Sequence, residues 1–277
     1  MPRAKNGQVE LEYETFGAAT APAVLLINGL GSQMTRWPAD FCERLAARGF
    51  RVIRMDNRDT GLSTWFKPGE SYALTDMAAD AVAVMDAAGV AKAHVAGVSM
   101  GGMITQAVAI AYPERVLSIT SIMSATGAPG TMDPTPEAGA VLTLAPPDPA
   151  ADYEAFLAHA VKNAEIIGSP SYPWPPGALR QRAIDEHARA FNPTGSARQM
   201  AAIRADGDRT ARLGKLKVPA VVLHGADDPL VRVVGGEATA AAIPGAELRI
   251  VPGMGHDLPP ALHDIFIDAI LAAAARA

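Results

Sequence analysis

The sequence predicts an α/β fold in which a mostly parallel sheet is wrapped by helices and interrupted by a helical insertion. Short runs of apolar and β-branched residues alternate with longer segments of helical periodicity, the pattern of parallel strands joined by crossover helices. One strand-to-helix junction carries Ser99 between two glycines. A proline-rich stretch breaks the alternation in the second half of the chain. These three observations define the fold class.

The first half of the chain alternates strand and helix without interruption. Gln8 to Phe16 has the polar and apolar alternation of a half-exposed strand, whereas Ala23 to Ile27 is wholly apolar, as expected of a central strand. Leu74 to Ala88 is predicted to be a helix with Thr75 as its cap. Further strands are predicted over 51–56, 93–96 and 116–123, and further helices over 37–48 and 103–112.

The second half contains the insertion. Half of the 22 prolines fall between Pro129 and Pro193, and only 151–167 and 178–190 have helical periodicity there. The alternation resumes with strands over 218–225 and 246–251 and helices over 233–243 and 260–275. We therefore expect an α/β core formed by residues 1–123 and 214–277, with residues 124–213 as a helical cap over one edge of the sheet.

The stretch Gly97-Val98-Ser99-Met100-Gly101 matches G-x-S-x-G between a strand and a helix. Such a turn holds its serine in a strained conformation, and side chains two residues to either side would collide. The turn lifts the hydroxyl clear of the sheet and places the Met100 N–H at a helix N-terminus, where it can bind an oxyanion. Ser99 is therefore a candidate nucleophile.

A serine nucleophile requires a base, and the base requires an acceptor that holds its tautomer. His256 lies in a glycine-rich loop directly after the last predicted strand, where an open α/β sheet gathers its site. The acid is expected after the penultimate strand, where Asp227 and Asp228 compete. One of these carboxylates is expected to face His256 while the other is solvated. Pro229 biases Asp228 toward an extended backbone that projects its carboxylate toward His256.

The order serine, aspartate, histidine, each after a strand, is that of the α/β-hydrolase fold. With the elbow, the segments 56–63, Gly225-x-x-Asp228 and Gly253-Met254-Gly255-His256 resemble the capped esterase branch of the α/β-hydrolase superfamily. They are similar to aclacinomycin methylesterases and to cofactor-free haloperoxidases. The resemblance covers most of the chain outside the predicted cap.

The resemblance implies an eight-stranded sheet with strand two antiparallel, Asp228 as the acid, and the backbone N–H of Leu30 as the second oxyanion donor. The chain departs from many relatives at Asn28-Gly29, where they have His-Gly, and at Val98, where they have histidine. These departures concern the shape of the loop and the pocket rather than the chemistry. Asn28 and Trp174 are candidate pocket residues, and ordinary packing is the alternative for Trp174.

Composition excludes several other classes. The 277 residues are 49% hydrophobic and 19% charged, with a net charge of −5. The sequence has no run of Lys and Arg residues, which argues against nucleic acid or an anionic membrane as a partner. Residues 1–14 lack a hydrophobic stretch of signal-peptide length, so we expect a soluble, cytoplasmic protein. Cys42, the single cysteine, is expected to be buried on an early helix. Dinucleotide, phosphate-loop and zinc-binding spacings are absent, so neither cofactor nor metal is expected.

These features predict a serine hydrolase that cleaves carboxylic esters of small organic molecules through an acyl-enzyme. The same triad would serve a cofactor-free perhydrolase, scored as a haloperoxidase, which forms peracids from carboxylic acids and peroxide. A non-catalytic ligand receptor on this fold is a third hypothesis, which an intact triad disfavours. Specificity lies in the cap, where the pattern is weakest, so neither the physiological ester nor the oligomeric state is predicted.

Overall fold

The chain forms one eight-stranded sheet in a computed structural model that describes residues 2–277. The strands are β1 (Arg3–Asn6), β2 (Val9–Phe16), β3 (Ala23–Ile27), β4 (Arg51–Met55), β5 (Ala93–Val98), β6 (Val116–Ile122), β7 (Ala220–Gly225) and β8 (Glu247–Val251). Their spatial order is β1-β2-β4-β3-β5-β6-β7-β8. Only β2 runs against its neighbours, since it pairs antiparallel with both β1 and β4. The predicted eight-stranded sheet with strand two antiparallel is confirmed.

Ten α-helices accompany the sheet within residues 2–277. They are α1 (Ala39–Ala46), α2 (Leu74–Ala87), α3 (Met100–Ala111), α4 (Pro136–Thr143), α5 (Tyr153–Ile167), α6 (Ala178–Arg189), α7 (Gly195–Asp206), α8 (Thr210–Leu213), α9 (Val233–Ala242) and α10 (His263–Ala274). Short 3₁₀ turns occupy Met34–Arg36, Pro113–Arg115 and Pro260–Leu262. None of these helices combines the length and apolar character that crossing a bilayer requires.

Apolar side chains that alternate along the central strands form a core on each face of the sheet. In β3, Val24 and Leu26 join the cluster covered by α1 and α10. Leu25 and Ile27 join the cluster covered by α2 and α3. All five residues of β3 are buried, which explains why this strand is continuously apolar in sequence.

The parallel strands end at one edge of the sheet, and the candidate site residues follow them there. Leu30 lies in the loop after β3, Ser99 directly after β5, Asp228 after β7 and His256 after β8. This edge is where the crevice of an open α/β sheet forms.

The segment between β6 and β7 contains α4 to α8 and no strand. Three ion pairs join it to the core: Arg189 donates to Asp56 over 2.7 Å, Arg198 donates to Asp59 over 2.8 Å, and Arg36 of the core donates to Glu186. Gln199 also accepts a hydrogen bond from the backbone N–H of Gly31 over 2.7 Å. The helical insertion is therefore fastened to the loops that follow β3 and β4.

Several element boundaries differ from the sequence predictions. Strand β1 and helices α4, α7 and α8 were not predicted. Thr75 does not cap α2, because the helix already begins at Leu74 and Ala73 is the capping residue. The carboxylate of Asp76 accepts from the Ala73 N–H over 2.8 Å and satisfies this end of the helix instead.

Candidate active site

Ser99 occupies the strained turn between β5 and α3. Its backbone has φ 55° and ψ −122°, a conformation that non-glycine residues rarely adopt. A Cβ at Gly97 would lie 2.6 Å from the Thr105 hydroxyl, and one at Gly101 would lie 2.7 Å from the carbonyl oxygen of Asn28. Both glycines are therefore required by close packing, as the motif predicts. Ser99 is half-buried, whereas the residues that precede and follow it in β5 and the first turns of α3 are buried.

The loop after β3 runs alongside the serine. A Cβ at Gly29 would lie 3.2 Å from the Cβ of Ser99, and Leu30 is the next residue. Met100 is the first residue of α3, so its N–H has no partner within the helix. Asn28 is fully buried, and its side-chain amide donates to the carbonyl of Met55 over 3.3 Å. The Asn28 side chain is thus directed at the end of β4.

The structure brings Asp228 and His256 together. Nδ1 of His256 lies 2.7 Å from Oδ2 of Asp228, and both side chains are buried. The other Asp228 oxygen accepts the backbone N–H groups of Leu230 and Val231, each over 2.9 Å. These contacts fix the carboxylate toward the imidazole and leave Nε2 of His256 as the nitrogen available for chemistry.

Asp227 occupies a different environment from its neighbour. It is exposed, and its carboxylate accepts the backbone N–H of Gly253 over 2.7 Å. It therefore supports the loop that carries His256 without contacting the imidazole. The two adjacent aspartates have separate roles in the geometry of this edge.

A second imidazole lies behind the acid. Nε2 of His224 lies 2.6 Å from the carbonyl oxygen of Val231 and 3.6 Å from Oδ2 of Asp228. Burial lowers the pKa of His224, which keeps it neutral and makes Nε2–H the donor to Val231. His224 thus holds the turn that shapes the Asp228 carboxylate, while His94 contacts Ser118 at the other end of β5.

Asp257 is a buried acid that the sequence analysis did not single out. Its two oxygens accept hydrogen bonds from the Ser169 hydroxyl over 2.5 Å and from Nε1 of Trp174 over 2.8 Å. Burial raises the pKa of Asp257, and hydrogen bonds from Ser169 and Trp174 oppose the rise. The only sequence signal for this residue is an acidic side chain directly after the candidate base.

Two cavities lie between the helical insertion and the sheet edge. The first, of about 200 Å³, lies among α5, α6 and the loops after β3 and β4, and includes Gly31. The second, of about 580 Å³, is lined by Trp174, Asp227 and Asp257. The guanidinium of Arg182 stacks on the Trp174 ring at 4.7 Å. Neither cavity is lined by Ser99 or His256, and no metal-binding cluster occurs within residues 2–277.

Comparison with known proteins places the chain in a family. The model of the α/β hydrolase fold family matches residues 22–259, so the chain belongs to that family. It is 30% identical over 284 residues to the rhodomycin D methylesterase DauP of a Streptomyces species, covering 96% of this chain and 95% of that protein.

Solved structures share the architecture. A hydrolase from Pseudomonas aeruginosa superposes with a TM-score of 0.72 at 27% identity, covering 98% of this chain and 96% of that one. The enol-lactonase from Burkholderia xenovorans superposes with a TM-score of 0.79 at 24% identity, covering 99% of this chain and 100% of that one. The predicted fold and the predicted enzyme of the esterase and hydrolase class are confirmed.

Proposed function

We propose that this enzyme hydrolyses carboxylic esters of small organic molecules through an acyl-enzyme on Ser99, with His256 as base and Asp228 as acid. The observation that carries the proposal is the 2.7 Å contact between His256 and a buried Asp228, at the sheet edge where Ser99 stands on its strained turn. The similarity to a methylesterase over nearly the whole chain supports the same chemistry.

The first half of the reaction forms the acyl-enzyme. The imidazole of His256 donates Nδ1–H to Asp228, so the lone pair on Nε2 accepts the proton of Ser99 as its oxygen attacks the ester carbonyl. Asp228 stabilises the imidazolium that forms. The backbone N–H groups of Leu30 and Met100 bind the oxyanion, and both belong to segments that flank Ser99. The imidazolium then protonates the leaving alcohol.

The second half returns the enzyme to its starting state. His256 takes a proton from water as the water attacks the acyl carbonyl, and Ser99 leaves with the proton restored to its oxygen. Every charge that develops is balanced by groups of this chain. The reaction as proposed requires no cofactor.

The helical insertion, residues 124–213, is proposed as a cap that selects the ester. It contributes Trp174 to the larger cavity, and it is hydrogen-bonded to the loops that follow β3 and β4. Asn28 is proposed to act on pocket shape through the loop after β3, since its own side chain is fully buried. A chain that is 49% hydrophobic with a net charge of −5 suits small organic substrates better than polyanions.

The proposal is tested with p-nitrophenyl acetate and the variants Ser99→Ala and His256→Ala. Each variant is expected to remain folded by circular dichroism and to lose about 10⁴-fold or more in kcat. Bromination that depends on acetate and peroxide, measured in parallel, separates ester hydrolysis from perhydrolysis. Wild-type turnover in either variant would refute the assignment. Bromination that exceeds ester hydrolysis would favour the perhydrolase.

A further inference from the structure

The loop that carries His256 is fastened to a segment of the helical insertion. We call residues 253–257 the histidine loop and residues 167–174 the strap. Three hydrogen bonds join the backbone of the histidine loop to the strap. The Ser171 N–H donates to the Gly253 carbonyl over 3.1 Å, and the His256 N–H donates to the Ile167 carbonyl over 2.7 Å. The Gly255 N–H donates to the Ser169 hydroxyl over 2.9 Å.

Asp257 supplies the side-chain half of this connection. It accepts from the Ser169 hydroxyl and from the Trp174 indole, so one carboxylate holds both ends of the strap. The Ser169 hydroxyl is itself used in both directions, since it donates to Asp257 and accepts from Gly255. Asp257 thus accepts two of the five hydrogen bonds between the strap and the histidine loop, and none of the five uses the His256 imidazole.

The two backbones approach as closely as glycine allows. A Cβ at Gly255 would lie 2.7 Å from the carbonyl oxygen of Ile167 and closer still to that of Gly168. A Cβ at Gly253 would collide with the Ser171 side chain. The glycines of the histidine loop thus have a packing role against the strap, which goes beyond making the loop flexible.

A buried carboxylate at this place is costly to maintain. Asp257 is only 9% exposed, and an apolar residue would avoid the desolvation penalty that its charge incurs. Arg182 lies near enough to stabilise the charge but forms neither a hydrogen bond nor an ion pair with it among residues 2–277. What the Asp257 carboxylate provides in return is a fixed geometry of the strap and the histidine loop, and therefore of the imidazole.

We propose that Asp257 is a positioning residue for His256, which couples the placement of the helical insertion to the placement of the catalytic base. This inference rests on the proposed function, because it assumes that His256 is the base. An ester that contacts the strap would then change the position of His256, so it would affect kcat as well as KM. A displacement of the base by about 1 Å lowers turnover by up to about 10²-fold.

The central test is Asp257→Ala, assayed on p-nitrophenyl acetate. We expect kcat to fall about 10- to 100-fold while KM changes less than about threefold, since so small an ester makes few contacts with the strap. Asp257→Asn can still accept from Trp174 and donate to Ser169, so it should restore most of the lost kcat. The deshielded proton NMR signal of His256 Nδ1–H against Asp228 should broaden or disappear in Asp257→Ala and return in Asp257→Asn.

Two further variants keep the test valid if Asp257→Ala fails to fold. Trp174→Phe removes the indole N–H but keeps an aromatic ring, and Ser169→Ala removes the hydroxyl. Each should lower kcat by about three- to tenfold. Trp65→Phe is the matched control, because Trp65 is exposed and its indole donates to Gly61, which belongs to neither the strap nor the histidine loop. Asp264→Ala, at an exposed carboxylate on α10, is the acidic control.

The outcomes separate the two levels of inference. Unchanged kcat in the folded Asp257→Ala protein, or in both single-contact variants, overturns the positioning role. A rise in KM alone, or an equal loss in the controls, overturns it as well. His256→Ala is measured beside them: if it retains wild-type kcat the proposed function fails, whereas an inactive His256→Ala leaves the Asp257 result to be judged by itself.

Discussion

Replacing the acid by its amide is the sharpest test of the site, because the structure dictates how the amide must turn. In Asp228→Asn the oxygen that accepts from Leu230 and Val231 must stay an acceptor, since both partners are backbone N–H donors 2.9 Å away. The amide nitrogen is then directed at Nδ1 of His256, which lies 2.7 Å from the present oxygen. Two donors cannot face each other, so the imidazole must carry its proton on Nε2.

That tautomer presents an N–H to Ser99 where the reaction needs a lone pair. We therefore expect kcat to fall by about 10³- to 10⁴-fold, with little change in KM or in fold. Asp227→Asn is the matched control. It keeps an oxygen for the Gly253 N–H and loses only an exposed charge, so its kcat should fall by about tenfold or less.

The assay is kcat on p-nitrophenyl acetate for both purified variants, after circular dichroism and thermal unfolding show that each is folded. The diagnostic quantity is the ratio of the two kcat values, because it cancels general effects of replacing an aspartate in this turn. If Asp227→Asn is the more damaged variant, or if both are damaged equally, the acid has been placed wrongly.

Four further outcomes are expected. A fluorophosphonate probe should label Ser99 alone, and labelling at wild-type stoichiometry in Ser99→Ala would exclude it as the nucleophile. Gly101→Ala should unfold the protein or abolish its activity, because the new Cβ would lie 2.7 Å from the Asn28 carbonyl oxygen. Gly214→Ala, whose Cβ would have no contact nearer than 3.7 Å, should keep the wild-type melting temperature. Burial raises the pKa of Cys42 to about 12, so a thiol reagent should react only after unfolding, and rapid labelling of native protein would contradict its burial. Burial lowers the pKa of His263 in the folded protein, so below about pH 6.5 the unfolded chain binds a proton that the folded one does not. The melting temperature should therefore fall from pH 7 to pH 5, and a loss just as large in His263→Phe would remove His263 as a cause.

The sheet was predictable because its signals are local. A wholly apolar run such as Ala23–Ile27 indicates a strand buried on both faces, and no distant partner is needed to recognise it. The missed helix α7 lacks such a signal, since only four of its twelve residues are buried. Its attachment comes instead from Arg198 and Gln199, whose partners are Asp59 and Gly31. Contacts that distant along the chain leave no pattern in the sequence.

The same division holds for the candidate site. Ser99 and His256 were predicted from their own loops, because glycine spacing and strand order are visible in the sequence. The preference for Asp228 over Asp227 used only the neighbouring proline and the family resemblance. Asp257 was missed because its partners Ser169 and Trp174 lie 88 and 83 residues away, within the proline-rich stretch that is hardest to interpret.

The ion pairs between the helical insertion and the core restrict how this enzyme can be recombined with others. Asp56 is fully buried and receives Arg189, and Asp59, also buried, receives Arg198. A graft that replaced the insertion with one lacking these arginines would strand two carboxylates inside the protein, at about 3–5 kcal/mol each. Arg36, in the loop after β3, also pairs with Glu186 of the insertion. The smallest exchangeable module is therefore the insertion together with the loops after β3 and β4, and chimeras should be cut outside all three segments.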